Sequence, residues 1–357
     1  MQHEIRNTQH AIDTESSFQM SDNNMLIEVN NLRTHFFLTE GLVRAVDGVG
    51  FSIRRGQTLG VVGESGCGKS VTARSIMNMV RKPGRTVGGE VRYHRRRADG
   101  ISEEIIDLLT LAPMGDEMRA IRGGEFAMIF QEPRASLSPV HTIGTQIIEA
   151  IRLHRPMTKE QAREHGIAML RSVKIPRPEQ IIDSYPHQLS GGMCQRAMIA
   201  LALACQPSLL IADEPTTALD VTTEAQILEL MRELQASFDT AIMYITHNLA
   251  VVAEIARDVM VMYMGKDVEF APVDAMFHDP KHPYTVALLA SIPRIDAERD
   301  MLATMPGSVP DPYSLPKGCP FHPRCPARMP ACSQDVEVPY VEMGPGHRVR
   351  CHLYAGK

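Results

Sequence analysis

The stretch Gly63-Glu64-Ser65-Gly66-Cys67-Gly68-Lys69-Ser70 decides the fold. Two glycines five positions apart, followed by Lys and Ser, match the phosphate-loop pattern. Before it, Thr58-Leu59-Gly60-Val61-Val62 is apolar and long enough for a buried strand. After it, Val71 to Val80 mixes apolar and polar residues at helical spacing. Glycines let such a loop curl until successive N–H groups point inward at phosphate oxygens, and the following helix N-terminus adds partial positive charge. Lys69 is expected to reach the β- and γ-phosphates and Ser70 to place its hydroxyl on Mg²⁺. A ligand-free strand-to-helix turn would leave Lys and Ser at those positions unexplained. The chain is expected to bind a nucleoside triphosphate.

Working outward, Ile27 to Phe37 and Val43 to Ile53 carry strand composition, joined by a turn at Thr39-Glu40-Gly41. Gly88 to Arg97 suggests another strand, and Asp99 to Arg122 an irregular charged insertion with some helix. Phe126 to Phe130 is a buried strand ending at Gln131, and Pro133 and Pro139 break the chain after it. From about residue 140 to 203 the periodicity is helical, interrupted by Pro176, Pro178 and Pro186, and reads as a helical subdomain. Two further buried strands, Leu209 to Ala212 and Ala241 to Ile245, flank an amphipathic helix at Thr223 to Ser237. Alternating strands and helices imply an α/β fold, its sheet covered on both faces. Val259 to Met264 and Val268 to Phe270 suggest a closing hairpin.

Bulk properties exclude several classes. The formal charge of −5 gives no basic signature for nucleic acid. No segment approaches the roughly 20 apolar residues of a membrane span. Residues 1–24 are polar, lack the apolar core of a signal peptide and suggest a disordered tail on a cytosolic protein. Of the seven cysteines, Cys319, Cys325, Cys332 and Cys351 crowd the C-terminal end. In a cytosolic chain that clustering points toward metal before disulfides.

Two further motifs carry chemistry. The strand Leu209 to Ala212 delivers adjacent acids, Asp213 and Glu214, where a parallel sheet gathers its ligands. Asp213 is suited to hold Mg²⁺ and Glu214 to orient or deprotonate an attacking water. Leu189-Ser190-Gly191-Gly192-Met193 opens a helix whose N-cap is Ser190, and the glycine pair leaves backbone N–H groups uncovered at its positive end. Capping alone needs no glycine pair, which costs a helix about 1 kcal/mol per residue. The pair therefore marks a second anion site.

With the phosphate loop, Ser190 to Met193, Asp213-Glu214 and the following Thr217 to Asp220, the chain resembles the ATP-binding subunits of ABC transporters over Leu26 to Phe270. The resemblance implies that the signature of one subunit caps the triphosphate held by the phosphate loop of its partner. It also implies that Gln131 is the Gln-loop residue that senses Mg²⁺, water and the membrane partner. Asp213 would be the metal-binding acid and Glu214 the catalytic base. Thr217 to Asp220 would cross the dimer interface, and His247 would contact the γ-phosphate. Two positions depart from the family: Met193 replaces the usual Gln, and Cys194 stands where a polar or basic residue is usual. Phe36 and Phe37 are candidates for the adenine-stacking aromatic.

Beyond residue 271 the chain is rich in proline and leaves little room for long regular elements. His282-Pro283-Tyr284-Thr285 and Gly318 to Pro326 resemble the dipeptide and oligopeptide importer branch, which also contains nickel and some oligosaccharide importers. The fold expected is thus a mixed-sheet ATPase domain over 25–270 and a small irregular Cys-rich domain over 271–357. The four cysteines are separated by five, six and eighteen residues, unlike ordinary zinc knuckles. Four thiolates suit either a [4Fe–4S] cluster or Zn²⁺, and the resemblance implies the cluster. Implied partners are two membrane permeases, a second ATPase (a related, non-identical chain) and an extracytoplasmic binding protein, at the cytoplasmic face of the membrane. Rivals are a soluble non-transport ABC ATPase and a phosphate-loop kinase. The first typically carries two cassettes or a long coiled coil, and the second needs neither Ser190 nor the acid pair.

Overall fold

The computed structural model describes residues 24–97, 102–132, 136–217, 220–291 and 305–355. The expected N-terminal tail to residue 23, Pro133, Ala218 and Leu219, and Ile292 and Pro293 lie outside them.

Two sheets form the frame. The first is antiparallel, in the order β2 (Gly41–Arg54), β1 (Met25–Leu38), β4 (Gly84–Arg96), β5 (Glu103–Asp107). The second has eight strands. Its parallel part runs β9 (Asp258–Tyr263), β3 (Thr58–Val62), β8 (Ala241–Ile245), β7 (Leu209–Asp213), β6 (Phe126–Ile129). Strands β3, β7 and β8 are buried at every residue, as their unbroken apolar runs require in a sheet covered on both faces. The parallel register sets Val61 beside Ile245 and Asp213 beside Ile245, so the C-terminal ends of β3, β7 and β8 open on one edge.

The helices supply the cover. α1 (Lys69–Ile76) follows β3 directly, and α2 (Asp116–Gly124) precedes β6. The helical subdomain consists of α3 (Ile143–His154), α4 (Lys159–Ser172), the short α5 (Pro178–Ile181) and α6 (Gly191–Leu203). Thr142 caps α3, and Thr158 forms a full capping box with Gln161 at the start of α4. Gly144 lets α3 approach the chain at Ile182, whose Cγ1 lies 2.5 Å from where a Cβ would stand. α7 (Val221–Phe238) and α8 (Leu249–Ile255) flank β8.

The C-terminal region differs from the irregular one expected. After β10 (Lys266–Pro272), α9 (Val273–His278) and α10 (Pro283–Ala290), the chain returns as a hairpin, β11 (Tyr340–Gly344) and β12 (His347–Arg350). β12 pairs with β10, so the main sheet continues into this region in the order β11-β12-β10-β9. The seam is polar, and its two buried carboxylates are matched by donors. Asp267 is fully buried and accepts from the Gly50 N–H (2.9 Å) and Arg350 (3.1 Å). Glu269, equally buried, accepts from the N–H groups of Lys281 and His282 and faces His347 Nε2 at 2.9 Å. Buried carboxylates persist where such donors compensate their lost hydration. An apolar core shared by Val62, Tyr263, Met276, Tyr284, Phe321 and Val338 joins the two regions.

Candidate functional site

The phosphate loop leaves β3 at Gly63, where φ is +150° and a Cβ would lie 2.2 Å from the Met262 carbonyl oxygen. Gly68, at φ +107°, would put its Cβ 2.2 Å from the Ala45 carbonyl oxygen. Both positions need glycine for conformation and for space. Gly66 faces open space, Ser65 is exposed and Cys67 is buried beneath the loop. Lys69 Nζ donates to the carbonyls of Gly63 (2.8 Å) and Glu64 (3.2 Å), which hold the amine across the loop.

Ser70 lies in the first turn of α1, and its hydroxyl donates to Asp213 Oδ1 at 2.8 Å. Burial pushes the Asp213 carboxyl up, while the Ser70 hydrogen bond and the charges of Arg74 and Lys69 pull it back. A hydroxyl and a buried carboxylate in contact at a strand end form a suitable donor set for Mg²⁺.

Glu214 follows in a left-handed conformation, φ +48°, with its N–H bonded to the Ile245 carbonyl. This turn presents its carboxylate to three groups from three segments. Gln131 Nε2, at the end of β6, donates to Oε2 at 3.0 Å, and Thr217 Oγ1 donates to the same oxygen at 3.0 Å. His247 Nδ1, after β8, stands 3.5 Å from Oε1. Gln131 and His247, each distant in sequence, thus converge on Glu214 beside its near neighbour Thr217.

The signature lies elsewhere in the chain. Ser190 Oγ accepts from the Met193 N–H (3.3 Å), and Ser190 and Gly191 are exposed at the start of α6. Gly192 sits against Thr223, where a Cβ would meet Cγ2 at 3.2 Å. Asp220 caps α7 by accepting from the Thr223 N–H (2.9 Å) and hydroxyl (2.7 Å). Met193 packs at the rim of the helical core. Cys194 is buried and its thiol donates to the Pro186 carbonyl, which gives the unusual residue a local role. Phe37 is 45% exposed with the Arg85 guanidinium 4.3 Å from its ring centre, while Phe36 packs against Gly84.

The C-terminal thiols do not bear out the metal expectation. Cys319, Cys332 and Cys351 are buried. Burial pushes the Cys319 thiol up to about 12 and that of Cys351 up to about 11, with the neighbouring thiols adding to the shift. Among the described residues, no three His, Cys, Asp or Glu side chains gather as a metal ion requires. The arrangement therefore gives no support to an iron–sulfur cluster.

One contact at the site lies beyond what motif spacing shows. Glu64 of the phosphate loop forms a two-pronged ion pair with Arg324, 260 positions away. A cleft of about 840 Å³ between β2 and the C-terminal hairpin lies away from the phosphate loop.

Comparison with known proteins gives a consistent result. Residues 46–217 match the family model described as ABC transporter, and residues 268–332 match the oligopeptide/dipeptide transporter C-terminal region. The chain is 49% identical to the oligopeptide transport ATP-binding protein AppD of Bacillus subtilis, covering 92% of this chain and 97% of that one. It is 45% identical to the dipeptide transport ATP-binding protein DppD of Escherichia coli, with 92% and 96% covered. Among solved structures, the dimeric bacterial ABC transporter cassette MJ0796 matches with a TM-score of 0.58 at 26% identity, covering 70% of this chain and 99% of that one. The chain belongs to the ABC transporter ATP-binding proteins, in the group that carries the oligopeptide/dipeptide transporter C-terminal region.

Proposed function

We propose that this chain is the ATP-hydrolysing subunit of a membrane importer for dipeptides or oligopeptides. The observation that carries the reading is the convergence of Gln131, Thr217 and His247 on the Glu214 carboxylate, one residue beyond the Ser70–Asp213 pair. Mg²⁺, held by Ser70 and Asp213 with Gln131 nearby, would neutralise charge on the phosphate groups. The loop N–H groups and Lys69 bind and orient the triphosphate. Glu214 accepts the proton of the attacking water, and Gln131 and Thr217 fix the carboxylate's direction. His247, 65% exposed at its side chain, faces the same space and is placed to touch the terminal phosphate.

Ser190 and Gly191 present a capped, exposed helix end. In the reading proposed, that end covers the nucleotide of a second ATPase subunit, so ATP closes a dimer and hydrolysis opens it. The ATPase body is assigned to residues 25–270 and the importer-type region to 271–357. Two permeases and an extracytoplasmic peptide-binding protein complete the machine, with this subunit on the cytoplasmic face. No helix among the described residues is long and apolar enough to cross a membrane. The test is copurification from membranes with two polytopic proteins, together with ATPase activity that rises when they are present. Full activity without them, and no membrane association, would contradict the reading.

A further inference from the structure

We propose that Arg324 is a positioning residue for the phosphate loop, so that the C-terminal region sets the chain's affinity for nucleotide. The inference rests on the ATP-binding reading above.

Arg324 lies in a single helical turn, His322–Arg324, deep in the proline-rich region. Its side chain is only 5% exposed, yet every nitrogen has a partner. Nη1 and Nη2 donate to the two carboxylate oxygens of Glu64 at 2.7 and 3.0 Å. Nη1 also reaches the Tyr263 hydroxyl at 3.3 Å, and Nε donates to the Pro306 carbonyl at 3.2 Å. A two-pronged pair of this kind fixes direction as well as distance, because the guanidinium fork matches the carboxylate plane.

The same loop residue is held at a second point. The backbone N–H of Glu64 donates to the Tyr284 hydroxyl at 2.9 Å. Tyr284 is fully buried, and its ring packs with those of Tyr263 (4.6 Å between centroids) and Phe321 (5.4 Å). Tyr284, Phe321 and Arg324 all belong to the region after residue 271. Both main-chain and side-chain anchors of Glu64 therefore come from outside the ATPase core.

Position in the loop gives these anchors their consequence. Glu64 follows the glycine that leaves β3, and its own carbonyl is one of the two that accept from Lys69 Nζ. Fixing Glu64 fixes the first bend of the loop and the carbonyl pair under the lysine. A loop whose N–H groups already converge loses less freedom when phosphate arrives, and affinity rises accordingly. Arg324 touches no phosphate in this arrangement. It acts on the nucleotide through Glu64.

The test is a calorimetric titration of the full-length chain with Mg·ATP, each variant carrying Glu214→Gln to prevent turnover. Arg324→Gln is expected to weaken ATP binding about tenfold, equivalent to about 1.4 kcal/mol. Glu64→Gln should give a similar loss, and the double variant should be no weaker than either single one. Arg324→Lys, which keeps the charge but not the fork, should fall between. In the assembled transporter with Glu214 intact, Arg324→Gln should raise KM for ATP while kcat stays within about twofold, a split that general destabilisation would not produce. Should Arg324→Gln fail to fold, Glu64→Gln decides alone, since it changes no residue of the C-terminal region and keeps an oxygen to accept from Arg324. Unchanged affinity in folded variants, or losses that simply add, would overturn the proposal. A parent chain that binds no ATP would instead overturn the ATP-binding reading itself.

Discussion

Replacing Glu214 with Gln removes the charge of the proposed base while keeping its shape. Oε2 is contacted by two donors, Gln131 Nε2 and Thr217 Oγ1, each at 3.0 Å. A Gln amide placed there would set donor against donor, so its carbonyl must take that position. The NH₂ then faces His247 Nδ1, which stands 3.5 Å from the present Oε1. The hydrogen-bond frame survives, and only the proton acceptor is lost. General-base contributions of this kind amount to about 10²- to 10⁴-fold in rate. Phosphate release from the assembled transporter at saturating ATP should fall by that factor. Calorimetry should show ATP still bound, and size exclusion should show a long-lived closed dimer. Turnover within about twofold of the parent, with ATP bound normally, would refute the assignment of the base.

Three further outcomes are expected. Ser70→Ala leaves the buried Asp213 without its hydroxyl partner and removes one candidate Mg²⁺ ligand, so the Mg²⁺ concentration for half-maximal activity should rise at least about tenfold. Asp267→Ala takes from the buried Arg350, at the seam between β2, β10 and β12, its one buried counter-ion and leaves it only the exposed Glu337 at 3.6 Å. Unfolding by denaturant should show a loss of about 3–5 kcal/mol, part of which the added Arg350→Met change should restore. Burial pushes the His282 imidazole down to about 4 from 6.5, its Nδ1 accepting from the Tyr284 N–H. The unfolded chain takes up that proton first, so this group's contribution is complete above about pH 6.5 and declines as pH falls toward 4. The decline amounts to about 3 kcal/mol. His282→Asn, which keeps a cap, should flatten that part of the stability profile; an unchanged slope would exclude His282 as its source.

The parts of the molecule written in local pattern could be read from the sequence. The strand and loop from Thr58, the acid pair at Asp213 and the capped helix at Ser190 stand where spacing and composition put them, while the helix after the loop ends at Ile76, short of the Val80 expected. Strand β5 was hidden because only one of its two isoleucines is buried: Ile106 is 8% exposed and Ile105 60%. An edge strand of Glu103-Glu104-Ile105-Ile106-Asp107 reads as charged surface. β4 begins at Gly84 rather than Gly88, since Gly84-Arg85-Thr86 lacks apolar residues and pairs by backbone with Phe36, His35 and Thr34. The C-terminal hairpin was missed because the many prolines before it mask two strands of only five and four residues. Its docking on β10 could not be read at all. The pairing of Glu269 with Val349 and of Glu64 with Arg324 joins residues that only the folded chain brings together. The cysteine cluster carried the opposite lesson: among the described residues, proximity in sequence did not become a group of three side chains that could hold a metal ion.

Peptide transport is the activity that tests the importer reading most directly. The full-length chain would be reconstituted into proteoliposomes with its two permeases, its partner ATPase and its binding protein, and uptake of a labelled peptide would be followed on adding Mg·ATP. Peptide accumulation that requires ATP, and that Glu214→Gln abolishes, is the predicted result. ATP hydrolysis at full rate by the isolated chain, with no peptide entering the vesicles, would contradict it.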